Sequence, residues 1–162
     1  MTSTLHENLS REHQVEGASA LLRRAVAEGH RIGNHTWAHD RLVGIDAAAF
    51  DNVVGRTTDA IRDATGVSPT CLRPPGGEID GSAQALAQSR GLSVEMWTID
   101  PQDWRGPGST AIVDDVVARV SAGDVVLLHD GGGDRSQTVG ALDQLLSRLG
   151  RAGFTFTALA GC

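Results

Sequence analysis

Cysteine is nearly absent: Cys71 and Cys162 are the only two in 162 residues. A disulfide framework needs denser cysteines, so the expectation is one buried thiol and one loose terminal thiol. No CxxC or Cys/His finger spacing occurs, which excludes a structural zinc of that kind. Positive charge is also short. The net charge of -6 disfavours a nucleic-acid partner, which normally needs a basic face. No apolar run reaches the roughly 20 residues of a membrane span. Met1 to Glu16 has no signal-peptide apolar region, so the chain as written reads as cytoplasmic. The Gly131-Gly132-Gly133 run lacks the GxxxxGK[ST] context of a phosphate loop and reads as a flexible approach to His129.

What remains has the balance of a single globular domain, 40% apolar and 21% charged. Residues 1–17 show little periodicity and read as a peripheral arm ahead of a domain over 18–162. Helical spacing predicts a helix over 18–28, with Leu21, Leu22, Ala25 and Val26 on one face and Gly29 as its stop. Further helices are expected after Asp46, after Ser82 and after Ser109, with a last one over 139–151. In the helix after Ser109, Val113, Val116, Val117 and Val120 should face inward. Short strands are expected over 30–34, 69–72, 92–99, 124–129 and 154–159. Residues 125–128, Val-Val-Leu-Leu, are apolar on both faces, as in a buried parallel strand. Helix and strand alternate, the pattern of an α/β protein with parallel strands and covering helices. Five strands fall short of the roughly eight of a closed barrel.

Four polar stretches each follow the carboxyl end of an expected strand, the edge on which α/β folds build sites. His35 and His39 have the i, i+4 spacing that sets two imidazoles on one face of a helical turn, within reach of one divalent ion. Alone, such a pair is equally a pair of loop histidines. Hydrolytic zinc sites normally have three protein ligands, and no third is obvious nearby. His129 ends the most apolar strand and is either a hydrogen-bonded core histidine or a general acid. Asp103 could orient its ring or merely cap a loop. Arg73, stiffened by Pro74-Pro75, could hold a carboxylate bidentately or form a surface ion pair. Aromatics make up only 4% of the chain, yet Trp37, Trp97 and Trp104 all lie in or beside these stretches. Indole faces suit sugar rings or an acetyl methyl, and they equally suit a core.

The run Glu28 to His39, Glu-Gly-His-Arg-Ile-Gly-Asn-His-Thr-Trp-Ala-His, closely resembles the second motif of the polysaccharide deacetylases, the NodB-like carbohydrate esterase family 4. Arg73-Pro74-Pro75-Gly76 resembles the third, with glycine for the usual tyrosine. Asp100-Pro101-Gln102-Asp103-Trp104 resembles the fourth, and Leu127-Leu128-His129-Asp130 the fifth. The resemblance implies an incomplete, distorted (β/α) barrel. It implies metal-dependent removal of N-acetyl, or O-acetyl, groups from a polysaccharide such as chitooligosaccharide or peptidoglycan. It makes His35 and His39 ligands of a divalent ion, zinc being the one expected. Arg73 would position the catalytic base, Asp103 would tether His129, and His129 would be the general acid. Trp104 and Leu127 would border the acetyl pocket, with Pro74 also on the substrate side. Family members are often secreted or associated with the cell wall.

The family's first motif, Thr-Phe-Asp-Asp-Gly, is missing, and residues 1–17 hold no Asp. That motif supplies the base and the third metal ligand. The chain therefore reads as an N-terminally truncated member: either a fragment or mis-started product whose full form is active, or a short form in which Glu7, Glu12, Glu16, His6 or His13 completes the metal shell. Uncovered sheet edges would then favour self-association. Two other readings stay open: a non-catalytic carbohydrate-binding or scaffold form of the fold, and an unrelated metal hydrolase using Asp100 or Asp130.

Overall fold

Helices and parallel bridges alternate along the chain, as expected of an α/β protein. The computed structural model describes residues 12–162, with side chains from Ala18 onward. The described residues fall into two units. An N-terminal unit runs to Met96 and also takes Leu159–Cys162, and a C-terminal unit holds Trp97–Ala158.

In the N-terminal unit, α1 (Glu12–Ala27) begins six residues before the expected start. Part of the expected arm is therefore helical, and residues 1–11 lie outside the described residues. Leu22 and Ala25 face inward, whereas Leu21 is exposed. Gly29 takes the left-handed turn at the stop. Asp46 caps α2 (Ala47–Phe50) by accepting from Ala49 N–H. A π turn over Asp51–Gly55 leads into α3 (Arg56–Thr65), which ends on left-handed Gly66.

Strand β1 (Cys71–Leu72) pairs in parallel with β2 (Ser93–Val94), and Asn34 bridges to Leu72. The ladders are much shorter than the sequence suggests. Loops that carry polar stretches take over within two or three residues of each bridge. Between β1 and β2, α4 (Gly81–Ser89) is capped by Asp80 rather than Ser82, whose hydroxyl instead donates to the Asp80 carboxylate. Leu42, Phe50, Val54, Leu72, Ala83, Ala87 and Leu92 form the core of this unit.

The expected pair of thiols is corrected. Cys71 and Cys162 form a disulfide, with Cα atoms 4.9 Å apart. Scarcity argues against a framework, but one staple needs only two cysteines, and the chain end returns to the start of β1.

In the C-terminal unit, Ile99 bridges in parallel to Val126. Two helices pack together over that bridge, α5 (Ser109–Arg119) and α6 (Ser136–Arg151). Gly108 holds the cap position of α5, and the Ser109 hydroxyl donates instead to the Gln137 carbonyl. Ile112, Val113 and Val116 face inward, while Val117 is exposed. From α6, Ala141, Leu145 and Leu149 complete the core at helical spacing. Phe154 and Phe156 pack on this core, yet residues 154–159 form no ladder. Their Phe/Thr alternation is strand-like, but among the described residues none pairs with them as a strand.

Asp80 offers an acid test of the N-terminal unit. It accepts from Gly44 N–H at 2.6 Å, from Ala83 N–H at 2.9 Å and from the Ser82 hydroxyl, and these bonds hold its carboxyl down at about 2. A depressed carboxyl stabilises the fold above its unfolded value, roughly 3.9, and that contribution disappears as pH falls through the native value. Thermal melts between pH 6 and pH 2 should show a smaller acid-induced drop in Tm for Asp80→Asn than for the unaltered chain.

Candidate active site

The structure places His35, His39, Arg73 and Pro74 in the N-terminal unit, and Asp103, Trp104, Leu127 and His129 in the C-terminal unit.

In the N-terminal unit the backbone of Asn34 fixes the register of the site. Its N–H donates to the Cys71 carbonyl at 2.8 Å, and its own carbonyl accepts from Arg73 N–H at 2.9 Å. Its side chain is fully buried. The amide nitrogen donates to the Val54 carbonyl in the π turn at 2.8 Å and to the Thr58 hydroxyl at 3.0 Å. The amide oxygen accepts from Thr36 N–H at 2.9 Å. Nothing in the sequence motifs marks Asn34 for this role. A lone asparagine in a strand signals nothing until its partners, some 20 residues away, are known.

His35 and His39 do not lie on a helical turn, contrary to the expectation from their spacing. Residues 35–40 form an irregular bend with Thr36 (φ 66) and His39 (φ 60) in the left-handed region. That conformation is costly for a β-branched residue. Local bonds hold it: Thr36 Oγ1 accepts from Asp40 N–H at 2.7 Å, and Asp40 accepts from Ala38 N–H at 2.9 Å. The bend still delivers the expected juxtaposition, with ring centroids 5.0 Å apart and an edge-on angle of 76°. The Arg56 guanidinium covers the Trp37 ring at 3.7 Å.

His35 Nδ1 lies 2.6 Å from the Arg73 carbonyl oxygen. A carbonyl only accepts, so Nδ1 carries the proton, and in the neutral ring the lone pair sits on Nε2. Arg73 is buried and not a surface residue, and burial lowers its pKa while Glu95 opposes that shift. Pro74 and Pro75 beside it are buried too. Gly76 and Gly77 then turn with φ of 63° and 72°, which suits glycine where the resemblance would put tyrosine.

In the C-terminal unit Asp103 is fully buried at the start of a short 3-10 turn, Asp103–Arg105. One oxygen accepts from His129 Nδ1 at 2.7 Å. The other accepts from His129 N–H at 2.8 Å and from the Thr138 hydroxyl at 2.9 Å. Burial pushes the Asp103 carboxyl up, but these donors outweigh it and leave the group below its usual value. Asp103 is thus an ionised orienter that grips His129 by ring and backbone together, and not a loop cap. Thr138, in the first turn of α6, was missed because nothing in its sequence surroundings marks it.

Leu127 is buried and Trp104 is exposed. The Arg105 guanidinium lies 4.8 Å from the Trp104 ring. Arg135 donates to the carbonyls of Gly131 and Gly132, and to that of Trp104. The glycine run is therefore tied down, not the loose approach expected from its composition.

Two imidazoles, one of them with its Nδ1 proton fixed by a carbonyl, suit a first-row divalent ion in donor chemistry. They do not suffice in number. Among the described residues no group of three or more His, Cys, Asp or Glu side chains could hold a metal, and this covers Asp100 and Asp130. Glu7, His6, Glu12, His13 and Glu16, the residues expected to complete the shell, have no described side chains.

A family model described as polysaccharide deacetylase matches residues 5–94. A peptidoglycan-N-acetylglucosamine deacetylase of Bacillus cereus is 37% identical over 149 residues, covering 91% of this chain and 70% of the relative. A chitooligosaccharide deacetylase of Bradyrhizobium sp. is 39% identical over 152 residues, covering 86% and 69%. The solved structure of a family 4 carbohydrate esterase from Streptomyces lividans, in complex with acetate, superposes with a TM-score of 0.82 at 28% identity, covering 92% of this chain and 76% of that one. The chain belongs to the polysaccharide deacetylase family and has its NodB-like α/β fold.

Replacing Asn34 by alanine should destabilise the chain by roughly 2–4 kcal/mol, because buried Thr36 N–H and the Val54 carbonyl would lose their partner. Urea unfolding measures this. Asn34→Asp should not rescue it, since a carboxylate donates nothing to the Val54 carbonyl.

Proposed function

We propose that the chain is a metal-dependent hydrolase that removes N-acetyl groups, or O-acetyl groups, from a polysaccharide such as peptidoglycan or chitooligosaccharide. The observation that carries this is the bond from His35 Nδ1 to the Arg73 carbonyl. It presets the tautomer that a metal ligand needs and leaves Nε2 as donor. His35 and His39 would hold the ion. When bound, a divalent ion, zinc by donor type, polarises the acetyl carbonyl and lowers the pKa of water.

The chain's own residues supply the proton. Asp103 keeps His129 Nδ1 protonated and stabilises the imidazolium, so Nε2 donates its proton to the leaving amine or alkoxide. Arg73, buried and with its Nε directed to the Glu95 carbonyl, would position the catalytic base. Trp104, Leu127 and Pro74 would meet the substrate, with exposed Trp104 offering an indole face. These 162 residues alone should turn over slowly. They contain no Asp-Asp-Gly motif, and the described residues hold no third donor beside the two histidines.

The test measures acetate released from N-acetylated chitooligosaccharide and from peptidoglycan, with bound zinc determined in parallel. The expected result is feeble, chelator-sensitive release. His129→Ala should lower it by about 10²–10⁴-fold with zinc content unchanged. Vigorous release by the unaltered chain would refute the slow-turnover reading. Loss of zinc in His129→Ala would refute the assigned roles. Zinc bound without any release would favour a carbohydrate-binding form.

A further inference from the structure

The segment Leu159–Cys162 is held by a covalent bond and by several hydrogen bonds. Cys162 is disulfide-bonded to Cys71. The Thr70 hydroxyl donates to the Cys162 carbonyl at 2.9 Å and to the Gly161 carbonyl at 3.3 Å. The Ser93 hydroxyl donates to the Gly161 carbonyl at 2.9 Å. Gly161 itself is tightly enclosed. A Cβ there would overlap the Glu95 carboxylate and come within 2.7 Å of Ser93 Oγ.

The residues that the tail grips lead to Arg73 by two routes. Along β1, Cys71 is two residues from Arg73. Across the ladder, Glu95 N–H donates to the Leu72 carbonyl at 2.9 Å, and the Glu95 carbonyl accepts from Arg73 Nε at 3.4 Å. The Glu95 carboxylate also favours the charged form of buried Arg73. The Arg73 carbonyl is the group that fixes the His35 tautomer. A strand, a carboxylate and a guanidinium thus connect the last two residues of the chain to the ring of His35.

We propose that Gly161 and Cys162 are positioning residues for His35: the disulfide-closed tail seats Glu95 and Arg73, and through the Arg73 carbonyl it holds His35 in the Nδ1–H form. The device is redox-sensitive. A dithiol reductant delivers two electrons and two protons, the bond between the two Sγ atoms breaks to give two thiols, and the reductant closes to its own disulfide. The tail then keeps only hydrogen bonds at or near the surface, and the Arg73 carbonyl loses its fixed position. In a reducing compartment the histidine pair is therefore loosely set, and in an oxidising one it is set tightly.

This inference rests on His35 being a metal ligand, but its first readout needs no metal. In metal-free protein at pH 8, well above the usual histidine pKa of roughly 6.5, imidazole ¹⁵N shifts report the tautomer of each ring. The oxidised chain should show His35 as the Nδ1–H form. Reduction by dithiothreitol, or Cys162→Ser, should mix its tautomers. His129, held by Asp103, should keep its Nδ1–H signature and serves as the internal control. Gly161→Ala, with both cysteines intact, should loosen His35 in the same direction by displacing Glu95. Zinc affinity by calorimetry should fall by about 10-fold on opening, as for loss of a group that orients a ligand. A His35 tautomer unchanged in the reduced, folded protein overturns the proposal. So does simultaneous change at His35 and His129, which would mean general loosening. If the oxidised chain binds no zinc at all, the metal-dependent reading fails, while the tautomer experiment still decides the clasp.

Discussion

One buried amide holds the histidine-pair half in place. Asn34 donates to the π turn and to Thr58, and accepts from Thr36 with its side-chain oxygen, while its backbone joins residues 71 and 73. The left-handed bend that brings the two histidine rings together starts at Thr36 and depends on that oxygen. Without it, a β-branched residue would relax toward the extended region, and the i, i+4 spacing would no longer imply proximity. The π turn has a matching role: at its Val54 the carbonyl accepts from a side chain outside the helix.

The Asp103–His129 half follows the same logic with a charge at its centre. Asp103 has no exposed surface, and burial alone would favour its neutral form. Three donors converge on it instead, and two of them belong to His129. A group that holds both the ring and the backbone of one histidine fixes where its other nitrogen points without further contacts. Thr138 adds the third bond from α6, so packing of Leu145 and Leu149 on the same helix bears on the histidine's orienter.

Much of this was legible in the sequence. The order of helices and parallel segments follows from periodicity and from Gly29 and Gly66. The pairing of Asp103 with His129 and the closeness of His35 to His39 follow from the motifs. The misses share one cause, which is that the deciding contact is distant in the chain. Asp80 caps α4 while also bonding Gly44, so the nearer serine lost the position. Cys162 meets Cys71 across 91 residues, a separation about which spacing says nothing. Asn34 and Thr138 act through partners 20 and 35 positions away. Strand lengths were overestimated because β-branched and aromatic alternation marks side-chain burial, and residues 154–159 have that burial without a ladder.

Arg135 spends its guanidinium on backbone carbonyls, at Gly131, Gly132 and Trp104. The glycine run that follows His129 and the Trp104 turn are therefore stitched together in the chain by itself. A glycan docking there would not have to freeze a wandering segment, so little of its adhesion would be lost to ordering the protein. Selection among polymers would fall to the fixed outline of that rim, and a lid that folds down over the chain is not needed.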